Sequence, residues 1–201
     1  LYDTKEALEN KLSLFLSNYE EQYGRNLNEK SLGTRFEGTI RRISEKTGCQ
    51  VVILVDEYDK PLLQAIGNEE LQTTYRNMLK AFYGALKSCD RYIRFAFLTG
   101  VTKFGEVSVF SDLNNLLDLS FDKRYAEICG ITEQELHQMF DDGVNNLAVA
   151  NNMTKEKCYI KLKHDFDGYL FTEDSVGMYN PFSVLNTLSS SQFRDYWFET
   201  G

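Results

Sequence analysis

Val51-Val52-Ile53-Leu54-Val55-Asp56-Glu57-Tyr58-Asp59-Lys60-Pro61 runs five aliphatic residues straight into a pair of adjacent carboxylates. The run is short and largely β-branched, with Gly48 before it and charge after it. That pattern predicts a strand buried on both faces, as in a parallel α/β sheet. Side chains alternate along a strand, so Asp56 and Glu57 can serve one site only where the strand is ending. Pro61 closes the turn and is suited to the first turn of a helix.

Upstream, apolar residues at Ala7, Leu8, Leu12, Leu14, Phe15, Leu16 and Tyr19 predict an amphipathic helix over 5–22, with acids on its other face. A Gly24-Arg25-Asn26 turn leads to a second helix over 31–47, with Lys46 in its last turn and Gly48 as its stop. Downstream, Leu71, Tyr75, Met78, Leu79, Phe82 and Leu86 predict a long helix over 69–88. A second strand is expected over 93–99 and a weaker third over 116–121. Strand, helix, strand in that order is the crossover of a parallel sheet. After Gly130 the composition shifts: helices are predicted from Thr132 to about 141, over 154–164 and over 182–188, with a loop or hairpin over 165–180. The expected organisation is an α/β core over 1–130, carrying the 51–56 strand, followed by a mainly helical portion over 131–201.

Bulk properties narrow the function classes. The 201 residues carry a net charge of −8, which argues against broad, non-specific binding of nucleic acid or anionic membrane. No stretch reaches the roughly 18 apolar residues of a membrane span, and the N-terminus shows no signal segment. Cys49, Cys89, Cys129 and Cys158 are widely spaced with no C-x-x-C pair, and His137 and His164 are isolated, so zinc spacing is absent. Reduced thiols in a cytoplasmic protein are the default expectation.

A buried strand that delivers two acids to its carboxyl end places them where α/β sheets bind ligands. In P-loop ATPases the first such acid holds a magnesium-bound water and the second polarises the water that attacks the γ-phosphate. Asp59 adds a third acid near the same tip and Lys60 a cation. The bland reading is a strand that meets water as it leaves the core. The phosphate cradle is missing: no G-x-x-x-x-G-K-[ST] occurs in these residues. Without its amides and lysine, nucleotide affinity is expected to be poor.

The segment 51–61 resembles the Walker B element of the predicted AAA-ATPase-like family of bacterial proteins, which typically carry a PD-(D/E)XK nuclease-like domain at the C-terminal end. Further matches follow in order: Phe95-Ala96-Phe97-Leu98-Thr99-Gly100-Val101, Phe110-Ser111-Asp112-Leu113-Asn114-Asn115-Leu116, residues 125–135, Phe166-Asp167-Gly168-Tyr169, and Tyr179-Asn180-Pro181-Phe182-Ser183-Val184-Leu185. The likeness covers most of the chain from about residue 30. It implies a partial RecA-like P-loop NTPase sheet of strand order 5-1-4-3-2, flanked by helices and followed by a helical lid. On that template residues 51–56, 93–99 and 116–121 are strands 3, 4 and 5, and the family's phosphate loop lies upstream of this chain. The chain then reads as a truncated domain. The resemblance makes Asp56 the magnesium-side acid and Glu57 the catalytic base; Asp59, by its place near the same strand tip, is a further candidate metal-side acid. Thr99 takes the place of a γ-phosphate sensor, against the reading of a strand-end cap. Lys103 and Arg124 become the cations that reach phosphates or a neighbouring subunit's nucleotide, against the reading of solvated surface cations.

Three functions compete at this point. The first is a fragment of a magnesium-dependent, ATP-binding and ATP-hydrolysing domain, inactive alone, that acts as a switch for an attached module such as the nuclease-like domain. The second is a non-catalytic protein-interaction module derived from that fold. The third is a metal-dependent phosphodiesterase built on Asp56, Glu57 and Asp59.

Overall fold

The aliphatic run forms strand β1 (Val51–Val55), paired in parallel with β2 (Ile93–Leu98). The computed structural model describes residues 2–101, 109–111, 113, 115–120, 122–170 and 177–196. Register runs from Val52 opposite Phe95 to Val55 opposite Leu98, with an irregularity between Val51 and Val52. The chain is α/β and divides into two units, Leu1–Leu116 and Leu117–Gly201. That division falls ahead of the boundary expected near Gly130.

In the first unit, α1 (Lys5–Tyr23) starts at Thr4, whose hydroxyl accepts from the Ala7 amide. α2 (Leu32–Thr47) starts on a full capping box between Ser31 and Thr34 and stops at Gly48 in the left-handed region, φ 69°. The short helix α3 (Lys60–Gln64) carries Pro61 in its first turn, as the sequence suggests. The long helix expected over 69–88 is two pieces, α4 (Glu69–Tyr83) and α5 (Ala85–Ser88), interrupted at Gly84. α2 packs against α1, α4 and β1, and the core joins Leu8, Leu16, Phe36, Ile40, Ile53, Tyr75, Leu79 and Leu86. Phe36 and Phe82 stack within it, 4.5 Å apart and nearly parallel.

Two expectations for this unit, and one for the stretch just beyond it, are corrected. β1 buries one face only: Ile53 lies inside, while Val52 and Leu54 are 54% and 70% exposed and Phe95, opposite Val52, is 53% exposed. Alternation along the pair puts these three side chains on one open apolar face. α1 has more apolar residues than one face can hold, so Leu14, Phe15 and Tyr19 are exposed while Glu20 is buried. The third strand does not form among the described residues of 116–121 (Phe121 lies outside them). Local polar groups compete there with a ladder: the Ser120 amide donates to Asp118 Oδ1, and the Asp122 amide to the Leu119 carbonyl.

The second unit is mainly helical. Thr132 and Glu135 form the capping box of α6 (Glu133–Met139), which starts where the sequence predicts a helix. Next comes α7 (Asp141–Ala150), a helix the sequence does not announce. α8 (Lys155–Phe166) is capped by Thr154, and α9 (Pro181–Ser190) by Asn180 with proline in its first turn. The stretch expected as a loop or hairpin holds β3 (Asp167–Tyr169) antiparallel to β4 (Met178–Tyr179), with Gly168 at φ 137°. Leu136, Val144, Leu147, Cys158, Leu162 and Val184 form this unit's own core. Among the described residues no helix is long and apolar enough to cross a membrane. All four cysteines are free thiols, and burial pushes Cys89 up to about 11.

Candidate functional site

The acids stand where β1 leaves its ladder. The last ladder contact is the Thr99 amide donating to the Val55 carbonyl at 2.8 Å. Glu57 then takes φ 52°, a left-handed conformation that is uncommon for a residue with a side chain. The turn swings the chain so that the Tyr58 amide donates to the Thr99 carbonyl at 2.9 Å. It also resolves the alternation problem: Asp56 and Glu57 are both exposed, whereas Tyr58 and Asp59 are both buried.

Thr99 ties the two strand ends together. Its hydroxyl donates to Asp56 Oδ1 at 2.5 Å and accepts the Glu57 amide at 3.1 Å. These bonds run to the acidic turn of the neighbouring strand, to the Asp56 carboxylate and the Glu57 backbone amide. Glu57 Oε2 pairs with Lys60 Nζ at 2.5 Å, one turn along, and this contact raises the Lys60 pKa above its ordinary value. Tyr58 is 8% exposed and packs on Phe110, ring centroids 4.7 Å apart. Its ring also covers Gly100, where a Cβ would stand 2.5 Å from Tyr58 Cε1; only glycine fits that approach.

Asp59 behaves differently from its neighbours. It is wholly buried, and both carboxylate oxygens accept from the Val101 amide, at 3.1 and 3.0 Å. The metal role expected for Asp59 has this burial against it. Among the described residues, no group of three or more His, Cys, Asp or Glu side chains is gathered as a metal-ligand set, so the three-acid cluster of a phosphodiesterase is not assembled. Asp56 keeps an exposed carboxylate beyond its bond to Thr99, an oxygen donor of the kind magnesium prefers. The acid side of a magnesium–nucleotide site thus fits these residues. The phosphate side does not, because the 201 residues contain no phosphate-loop motif.

The other two expected site residues are Lys103 and Arg124. Lys103 lies outside the described residues. Arg124 belongs to the second unit, where Nη2 pairs with Asp122 Oδ2 at 2.6 Å and Nε with Asp122 Oδ1 at 3.0 Å. Those bonds hold the Asp122 carboxyl below its usual range. Sequence reasoning misses Tyr58, Gly100 and the Val101 amide as parts of the site. The Tyr58–Gly100 contact joins residues far apart in the chain and leaves no local pattern.

Comparison with known proteins adds a lineage to this geometry. Residues 1–110 match the family described as "Predicted AAA-ATPase". That span begins ahead of the expected start near residue 30 and includes both strands of the parallel pair and the acidic turn. Over 194 residues the chain is 37% identical to the "Uncharacterized protein in vnfD 5'region" of Azotobacter chroococcum mcd 1. The alignment covers 96% of this chain and 35% of that protein, so the chain spans about a third of its relative's length. No solved structure matches.

Proposed function

The chain belongs to the predicted AAA-ATPase family, and from that premise we propose that its strand-end acids are the magnesium- and water-side half of an ATP-hydrolysing site. The observation that carries this reading is the Thr99 hydroxyl bonded to Asp56 while it also accepts the Glu57 amide. One polar residue at the end of the neighbouring strand thereby holds the Asp56 carboxylate and the Glu57 backbone together. A solvated strand end has no need of that arrangement.

In this reading Asp56 would hold magnesium, which would supply charge neutralisation at the phosphates. Glu57, once clear of Lys60, accepts the proton of the attacking water. Thr99 keeps Asp56 facing the same side, and Lys103 and Arg124 are the remaining candidates to meet phosphate. A phosphate-binding loop, which these residues lack, supplies the other half. The parallel pair is then two adjacent strands of a partial RecA-like sheet. The open face of Val52, Leu54 and Phe95 supports this, since parallel sheets are ordinarily covered on both faces. The domain acts as a nucleotide-driven switch for an attached module, in the cytoplasm. The same open face also suits the second reading, a non-catalytic interaction module.

Phosphate release from ATP by the full-length protein separates the two. Turnover that depends on magnesium and stops on chelation is the expected result. A full-length protein that releases no phosphate above background, with or without magnesium, would leave the interaction module as the better account.

A further inference from the structure

We infer that Asp59 is the positioning residue of this site, a buried carboxylate that sets the Thr99 hydroxyl by clamping the backbone two residues beyond it. The inference rests on the ATPase reading for its kinetic consequence, and on the geometry alone for the clamp.

A carboxylate with no solvent exposure is costly to bury unless it is compensated by strong hydrogen bonds. Here both oxygens converge on the amide of Val101. The side chain of Val101 is 72% exposed, so the contact serves the backbone and not the packing of that residue. The segment 99–101 is consequently held at both ends. At Thr99 the amide and carbonyl are bonded to Val55 and Tyr58, and at Val101 the amide is bonded to Asp59. Between them Gly100 lies against the Tyr58 ring with no room for a Cβ. The turn that carries the two exposed acids and the strand end that carries Thr99 therefore move as one piece. Asp59 belongs to the first and grips the second. Its action on Asp56 runs through Val101, Gly100 and Thr99, which makes it a positioning residue and not a catalytic one.

The clamp is read first in the 201-residue wild-type chain. The Val101 amide is expected to exchange its hydrogen slowly although its side chain faces solvent, and Asp59→Asn is expected to speed that exchange at least about tenfold. Rapid exchange in the wild type would overturn the clamp, with no variant required and whatever the protein does with ATP. The kinetic arm uses the full-length protein. Asp59→Asn is expected to lower kcat by about 10- to 100-fold with KM for ATP within about twofold, and to add less than about twofold when Thr99→Val is already present. Equal losses in both backgrounds, or a change in thermal midpoint with kcat untouched, would make Asp59 a merely structural residue. Slow Val101 exchange in a protein that releases no phosphate would contradict the ATPase reading and leave the clamp standing.

Discussion

Exchanging Glu57 for glutamine is expected to lower ATP turnover by the full-length protein by about 10²- to 10⁴-fold, the range that removal of a positioned general base produces. The neutral amide keeps the size of the native side chain and leaves the backbone unaltered, so the turn should persist. The backbone amide at this position still donates to the Thr99 hydroxyl, and the Tyr58 amide still donates to the Thr99 carbonyl. The lost contact is the exposed pair with Lys60, which solvent screens. Binding of ATP should therefore stay near the wild-type level while kcat collapses, the signature of a group that acts in the transition state. Steady-state phosphate release alongside fluorescent-nucleotide binding reads both quantities. Turnover within a few-fold of wild type would remove Glu57 from the chemistry.

The largest expected effect on stability lies elsewhere, at Arg35. Its guanidinium grips Glu20 with two bonds of 2.8 Å, and also donates to Ser13 Oγ at 2.7 Å and Ser17 Oγ at 3.1 Å. The two side chains are only 8% and 3% exposed. Arg35→Ala would leave the buried Glu20 charge with the longer contact to Arg25 Nε at 3.7 Å, and removing one partner of a buried pair costs about 3–5 kcal/mol. A lower urea midpoint with an unchanged m-value is the expected observation. A loss below about 1 kcal/mol would mean that water already reaches the pair.

The same pair predicts a pH dependence of fixed sign. The bond to Arg35 holds the Glu20 carboxyl below its ordinary value of 4.5. Its unfolded form then binds protons at a higher pH than its folded form. The contribution is fully present above the unfolded value and is lost as pH falls through the lower, folded one. Wild-type stability should decline in that acid range, and Arg35→Ala should flatten this part of the profile.

Local signals are the legible part of this fold. Ser31, Thr132, Thr154 and Asn180 each cap the helix that their sequence context announces, and Gly48 ends α2. The two strands are readable because a short aliphatic run bounded by charge and glycine has few alternatives. α7 is not, although Val144, Leu147 and Ala148 stand at helical spacing, because Gly143, Asn145 and Asn146 break the apolar pattern. Leu116 and Leu117 suggest a strand by composition, but Asp118 and Ser120 satisfy the backbone locally.

At the site, the strand pattern points to Asp56 and Glu57, and the family resemblance adds Thr99. Neither distinguishes Asp59 from them, because burial depends on where Val101 and Tyr58 come to lie. Glu20 is hidden for the same reason. A carboxylate on a helix reads as solvent-facing until its cation, fifteen residues away, is placed against it.

The central claim is that this chain holds one half of an ATP site and needs a phosphate loop for the other. Calorimetric titration of Mg-ATP, into the 201-residue chain and into the full-length protein under one set of conditions, tests it most directly. The account predicts no measurable binding below millimolar nucleotide for the chain alone and micromolar binding for the full-length protein. Full-length protein that takes up no Mg-ATP, or a 201-residue chain that binds it as tightly, would contradict the account.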